Sequence, residues 1–386
     1  MTGPLRIAIL AHSTNPRGGV VHALELGDAL KRLGHEATVF APDASGAGFF
    51  RATLCATTTI AAAPTGRNVR AMVETRIADY LRHFERPENR RFDVWHAQDG
   101  ISANALATLK ERGLIHGFAR TIHHVDSFDD AALSALQTRA IRAADRLFVV
   151  SRAWQDWLRH ELSRDAVLVG NGVDMSRFSP ARDDTDAALP ARLGVPADAT
   201  VFLTIGGVEA RKNTVRLFEA FQSVYLRHPP SRLLIAGGAS ILDHDAYQAR
   251  FAGMLAHGGA SARAVIRTGP LRHRMMPALY RAATALVFPS LIEGFGLVVL
   301  EAMASGVPVI TSRIAPFTEY LGDDDVLWCD PCDTASIAAA MEQALAGSKR
   351  QQLIARGLQI AARHDWASAA RSHLATYESL SEPLHA

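Results

Sequence analysis

The feature that most constrains this chain is a repeated alternation between short apolar runs and helix-spaced segments. Residues 5–11 read LRIAILA, a run short enough for one buried strand. The loop STNPRGG follows, and then VVHALELGDALKRLG, with apolar residues at Val20, Val21, Leu24, Leu30 and Leu33. That spacing is helical. HEATVFAP then reads as a second strand. Strand, glycine-rich turn, helix and strand make a βαβ unit, and its repetition implies a parallel, doubly wound sheet. The first half offers further strands at 92–96, 118–123, 146–151 and 165–169.

The alternation breaks at 171–199, where Pro180, Pro190, Pro196 and the run ARDDTDAALPA read as a link between domains. It resumes with VFLTIG (201–206), RLLIAGG (232–238), AVIRTG (264–269), ALVFPS (285–290) and VPVIT (307–311). Two such series predict two Rossmann-like doubly wound α/β domains, residues 1–180 and 181–365, facing a central cleft. The helical stretch within 366–386 is expected to pack back on the first domain. Ligands of such sheets bind at the carboxyl ends of the strands, so the cleft is the expected site.

Bulk composition narrows the chemistry. The chain has 386 residues, 48% hydrophobic and 21% charged, which suits a globular enzyme and is too apolar for disorder. Lys+Arg exceed Asp+Glu by 41 − 39 = 2, which argues against a nucleic-acid partner recognised through bulk charge. Only Lys31, Lys110, Lys212 and Lys349 are lysines, so a lysine at a loaded position draws notice. Three cysteines, with Cys329 and Cys332 as a lone CxxC, provide neither a disulfide framework nor a second ligand pair for zinc. The apolar run near the N-terminus is too short for a signal segment, and no stretch is long enough to span a bilayer. A cytoplasmic location is the expectation, with no cofactor and no bound metal.

The most informative segment is 289–311, PSLIEGFGLVVLEAMASGVPVIT. Glu293 lies in the loop after a strand. Gly294 and Gly296 keep the turn bare, and 297–304 reads as a helix. Such a helix start binds phosphate through free N–H groups and the macrodipole. Glu301, one turn in, suits a ribose diol. By itself the segment is equally an ordinary strand–turn–helix carrying two surface glutamates.

The run Glu293-GFGLVVL-Glu301 followed by AMASGVPVI resembles the signature of the family 4 retaining glycosyltransferases of the GT-B fold. The likeness extends to Gly18-Gly19, to Thr121-Ile122-His123, to NGVD and RF-S-P within 171–180, and to Arg211-Lys212-Asn213. It implies transfer of a hexosyl unit from a nucleotide diphosphate sugar to a hydroxyl of a glycan, lipid-linked or small-molecule acceptor. Retention at the anomeric carbon and independence of metal are part of the same expectation. In such enzymes the residue matching Glu301 holds the ribose, the one matching Glu293 holds the hexose, and backbone groups at Phe295, Gly296 and Leu297 meet sugar and phosphate. His123 is expected beside the reacting carbon. Arg211 and Lys212, after the Gly206-Gly207 turn, would neutralise the leaving diphosphate. Many relatives carry Arg where this chain has Gly207, and Arg211 is the natural replacement. Gly18 and Gly19, ahead of a helix from Val20, would touch phosphate or acceptor. His124, Asp126 and Asp99 are candidates for acceptor contacts, and His96 is equally core or cleft. A sugar-nucleotide epimerase and a non-catalytic sugar-nucleotide-binding protein are the rival readings.

Two charge clusters complete the reading. Asp323-Asp324-Asp325 resembles a metal-holding DxD but sits in an expected loop, which favours a solvated acidic turn. Residues 67–91 hold seven arginines against four acids. A basic amphipathic helix there suits an anionic membrane or an acidic acceptor, whereas internal Glu–Arg pairing favours a solvated face.

Overall fold

The computed structural model describes residues 3–66, 68–238 and 244–381. Arg67 of the basic stretch and the last five residues of the expected C-terminal segment lie outside these. The chain forms two compact units, one running to Asn171 and resuming at Trp366, the other spanning Gly172–Asp365.

The first unit is built on a parallel seven-stranded sheet: β1 Arg6–Leu10, β2 Glu36–Asp43, β3 Ala56–Ala61, β4 Val94–Ala97, β5 Ala119–Ile122, β6 Arg146–Val149 and β7 Val167–Leu168, in the order β3-β2-β1-β4-β5-β6-β7. The second has six strands: β8 Val201–Ile205, β9 Arg232–Ala236, β10 Val265–Gly269, β11 Ala285–Phe288, β12 Val309–Ser312 and β13 Leu327–Cys329, in the order β10-β9-β8-β11-β12-β13. Each sheet reverses its strand order once, between β1 and β4 and between β8 and β11. At that point successive crossovers diverge to opposite faces and leave a crevice at the carboxyl ends. The central strands are buried on both faces, which explains their continuous apolar runs.

Several expectations need correction. The domain boundary falls between Asn171 and Gly172, not at 180, and 171–199 is not a free link. Phe178 is buried against Tyr280, and Thr185–Arg192 is a helix despite Pro190 inside it. The acidic run is captured by Arg281, whose Nη2 lies 2.8 Å from Asp183 and 2.7 Å from Asp186. One buried aromatic and one arginine thus turn a linker-like composition into part of the second unit. The edge strand β3, ATTTIA, and the three-residue β13 were absent from the expected strands. In the first, three consecutive threonines fill the middle and Ile60 alone is buried, which leaves little apolar signal.

The basic stretch contains the helix Val69–Phe84, which buries Tyr80 and Phe84 in the sheet's core. Arg76 and Arg82 both pair with the buried Asp79, at 2.6 and 2.5 Å. The apolar face of this helix is therefore directed inward. Asp323, Asp324 and Asp325 meet Arg313, Lys349 and Arg356 at the surface. Among the described residues, no helix is long and apolar enough to cross a membrane.

Candidate active site

In the second unit the two chain segments leaving β8 and β11 meet at the switch point. After β8 the backbone turns through Gly206 and Gly207, with φ of +127° and +75°. Such values favour glycine. Gly206 is also bare for want of space, since a Cβ there would lie 2.8 Å from Lys212 Cε. The lysine stem lies across that glycine and carries Nζ to 4.3 Å from the centre of the Phe288 ring. Asn213, itself at φ +59°, sends Nδ2 to the carbonyls of Pro289 (3.1 Å) and Pro331 (2.6 Å). Leu291 N–H donates to the Arg211 carbonyl at 2.9 Å. These ties lock the loop after β8 to the loop after β11.

The outcome is a compact charge cluster. Lys212 Nζ donates to Glu293 Oε1 at 2.6 Å, and Arg211 Nη1 donates to the same oxygen at 3.0 Å. Glu209, buried, lies 3.8 Å from Arg211 Nη2. Burial pushes the Glu293 carboxyl up, but Lys212 and Arg211 more than offset this and hold it below its ordinary range. Burial also pulls the Lys212 ammonium down, with Glu293 opposing. Arg211 and Lys212 thus share one carboxylate oxygen.

The helix Leu297–Ala304 starts from Gly296 at φ +89°. A Cβ on Gly296 would come within 2.5 Å of Phe317, so the glycine allows a close packing as well as a left-handed turn. Phe295 is 8% exposed and stacks on Tyr320, centroids 4.8 Å apart, and the Tyr320 hydroxyl donates to its carbonyl at 3.2 Å. Its side chain is therefore a support for the turn, while the backbone of 295–297 remains the candidate ligand surface. Glu301, one turn into the helix, accepts a 2.6 Å hydrogen bond from Tyr280. Sequence reasoning missed Tyr280. Its separation of 21 residues from Glu301 has no local signature.

In the first unit Gly18 and Gly19 are the opening residues of the helix Gly18–Arg32, rather than the loop ahead of it. A Cβ on Gly19 would lie 3.2 Å from the His123 ring, so the helix start and the histidine are in close approach. His123, just past β5, is paired through Nε2 with Gln98 Oε1 at 3.0 Å. With the amide so oriented, Nε2 carries the proton and Nδ1 the lone pair. Burial, then His22, His124 and Arg120, hold His123 well below the ordinary histidine range, so it works as a neutral ring.

Behind it lies a group that the sequence did not announce. His22 is fully buried, 4.9 Å from His123, 5.3 Å from Trp366 and 5.6 Å from His373 between ring centres. Its Nδ1 lies 2.6 Å from Asn171 Oδ1. His96 is core and not cleft: it is fully buried and bonded to Thr121 (2.8 Å) and Tyr377 (2.6 Å). Burial pushes His22 down to about 4 and His373 down to about 3. Asp99 caps the helix Gly100–Glu111 through Ser102 N–H, and Asp126 lies 3.3 Å from His124.

Two parallel doubly wound units, one with a cation–carboxylate cluster at its switch point beside a helix start, define a Rossmann-like α/β architecture of the GT-B kind. The comparisons specify it further. Residues 186–359 match the family model for glycosyl transferases group 1, and 16–177 that for glycosyltransferase family 4. A glycogen synthase of Mycobacterium tuberculosis is 30% identical over 74% of this chain and 69% of its own length. A D-inositol 3-phosphate glycosyltransferase of Corynebacterium kroppenstedtii is 30% identical over 74% of this chain, and the match spans 63% of that protein. Another, from Xylanimonas cellulosilytica, is 29% identical over 97% of this chain and 96% of its own. Among solved structures, a sucrose-phosphate synthase from Thermosynechococcus elongatus superposes with a TM-score of 0.81 at 22% identity, covering 97% of this chain and 99% of that one. The chain belongs to the family 4 glycosyltransferases and has their GT-B fold.

Proposed function

We propose that this protein transfers a hexosyl unit from a nucleoside diphosphate sugar to an acceptor hydroxyl, with retention at the anomeric carbon and without a metal ion. The observation that carries this reading is the Lys212–Glu293–Arg211 cluster beside the start of the helix Leu297–Ala304. When the sugar–phosphate bond breaks, negative charge accumulates on the diphosphate. Two cations and a helix N-terminus would receive it. Glu293 would accept hydrogen bonds from hexose hydroxyls, and Glu301, oriented by Tyr280, from the ribose. His123, neutral, would contact the sugar. No carboxylate is needed as a base if the acceptor attacks the face that the diphosphate leaves and passes its proton to the departing phosphate. The TM-score of 0.77 to Anabaena HepE, solved with UDP and glucose, makes a nucleotide sugar the natural donor to test.

The test is a panel of UDP-, GDP- and ADP-hexoses, each offered with phosphorylated cyclitol, glucan and lipid-linked acceptors. Release of nucleoside diphosphate is followed, and the product's anomeric configuration is read by NMR. Turnover of one donor with retention, unaffected by EDTA, is expected. Inversion, or activity lost to chelator and restored by Mg²⁺ or Mn²⁺, would overturn the corresponding part of the reading.

A further inference from the structure

Glu293 occupies the cations that the diphosphate needs. Its Oε1 takes hydrogen bonds from both Lys212 Nζ (2.6 Å) and Arg211 Nη1 (3.0 Å). Arg211 is also 3.8 Å from the carboxylate of Glu209, which has His244 at 3.9 Å. Two carboxylates therefore balance the two cations, and Glu293 and Lys212 are both largely withdrawn from water, their side chains 7% and 12% exposed. A diphosphate does not meet a ready positive site here. It must compete with a carboxylate for the same N–H donors.

We infer that Glu293 makes the site discriminate between a nucleoside diphosphate that carries a hexose and one that does not, favouring the first. This rests on the donor reading above. Hexose hydroxyls donate to a carboxylate. A bound sugar thus supplies Glu293 with replacement partners, and the ammonium and guanidinium are released to the phosphate oxygens. A diphosphate without a sugar brings two or more negative charges and no hydroxyl donor. Glu293 then faces phosphate across shared cations, in a partly dehydrated place where like charges repel strongly. The exchange is balanced with the sugar and unbalanced without it. The same carboxylate that positions the hexose in the donor weakens the hold on the diphosphate left after transfer, so product release follows from the chemistry of one side chain.

Calorimetric titration tests this with UDP, GDP and ADP and with their hexose conjugates, on the full chain and on Glu293→Gln. The amide keeps the shape and removes the charge. The variant should bind whichever diphosphate the parent binds about tenfold or more tightly, and its conjugate no more tightly than before. A gain in affinity is not what damage to the fold produces. On the parent protein, a conjugate that carries a hydroxyl-free ring in place of the hexose should bind no better than the bare diphosphate. That measurement stands if the variant does not fold. Unchanged or weaker diphosphate binding by the variant, or full affinity of the parent for the hydroxyl-free conjugate, would overturn the inference while leaving the donor reading intact. If the parent binds none of the three hexose conjugates, the donor reading fails first and the inference with it.

Discussion

Acid should unfold the first unit early, because it buries four neutral histidines around the C-terminal helix Trp366–Ser381. His22 and His373 are held at about 4 and about 3, and His96 and His123 are also pushed well down, all primarily by burial. The unfolded chain binds these protons near pH 6.5, so between 6.5 and the folded values the unfolded state carries more protons. Stability is then fully present above 6.5 and is lost as pH falls. pH 5 lies about 1.5 units below the unfolded value of His22 and of His373, and each unit is worth about 1.36 kcal/mol per group, which gives about 4 kcal/mol for the two. A domain has only about 5–15 kcal/mol in hand. For a unit of this size each kcal/mol moves Tm by about 2–4 °C, so a fall of roughly 8–16 °C is expected between pH 7.5 and 5. Tryptophan fluorescence is the suitable probe, since Trp95, Trp154, Trp157 and Trp366 are in this unit and only Trp328 is in the other. His373 makes its Nδ1 bond to Ala369 within its own helix, and its Nε2 has no hydrogen-bond partner among the described residues. His373→Leu should therefore fold and should remove about 1.36 kcal/mol per pH unit of the slope. A Tm constant from 7.5 to 5, or a slope unchanged in His373→Leu, would refute the argument.

Three further outcomes follow from the second unit. Lys212→Ala should lower kcat by about 10²-fold, the scale of one preorganised charge-stabilising donor; a change in KM alone would shift that role to Arg211 and the helix start. Tyr280→Phe keeps the ring against Phe178 but removes the hydroxyl from Glu301, and should weaken nucleotide binding by about 1 kcal/mol. Its effect should vanish in a Glu301→Ala background, and simple additivity in that double-mutant cycle would rule out action through Glu301. Gly296→Ala combines a left-handed backbone, costing about 1–2 kcal/mol, with an overlap against Phe317 costing about 1–3 kcal/mol; a denaturant midpoint equal to the parent's would contradict this.

Much of this molecule is written locally. The runs at 201–206 and 285–290 became β8 and β11 because a strand buried on both faces must be apolar throughout, and that pattern needs no knowledge of partners. The turn at 293–296 and the helix from Leu297 were legible for the same reason: glycines and a helical spacing act over a few residues. Glu293, Lys212 and Glu301 were nominated by residue type, loop position and resemblance. Where the sequence misled, the deciding contact was distant. The stretch 171–199 looks like a linker until Arg281, some 95 residues on, collects Asp186. Lys212 and Glu293 are 81 residues apart and meet only because β8 and β11 adjoin at the point where strand order reverses. No periodicity places His22 beside His373, which arrives on a helix that returns after the whole second unit. Local propensity and hydrophobic period therefore set the elements and their order, since both are short-range. Tertiary packing alone decided which charges are shared, which histidines lose water and which hydroxyl orients Glu301, because dehydration and hydrogen-bond geometry exist only once distant segments have met.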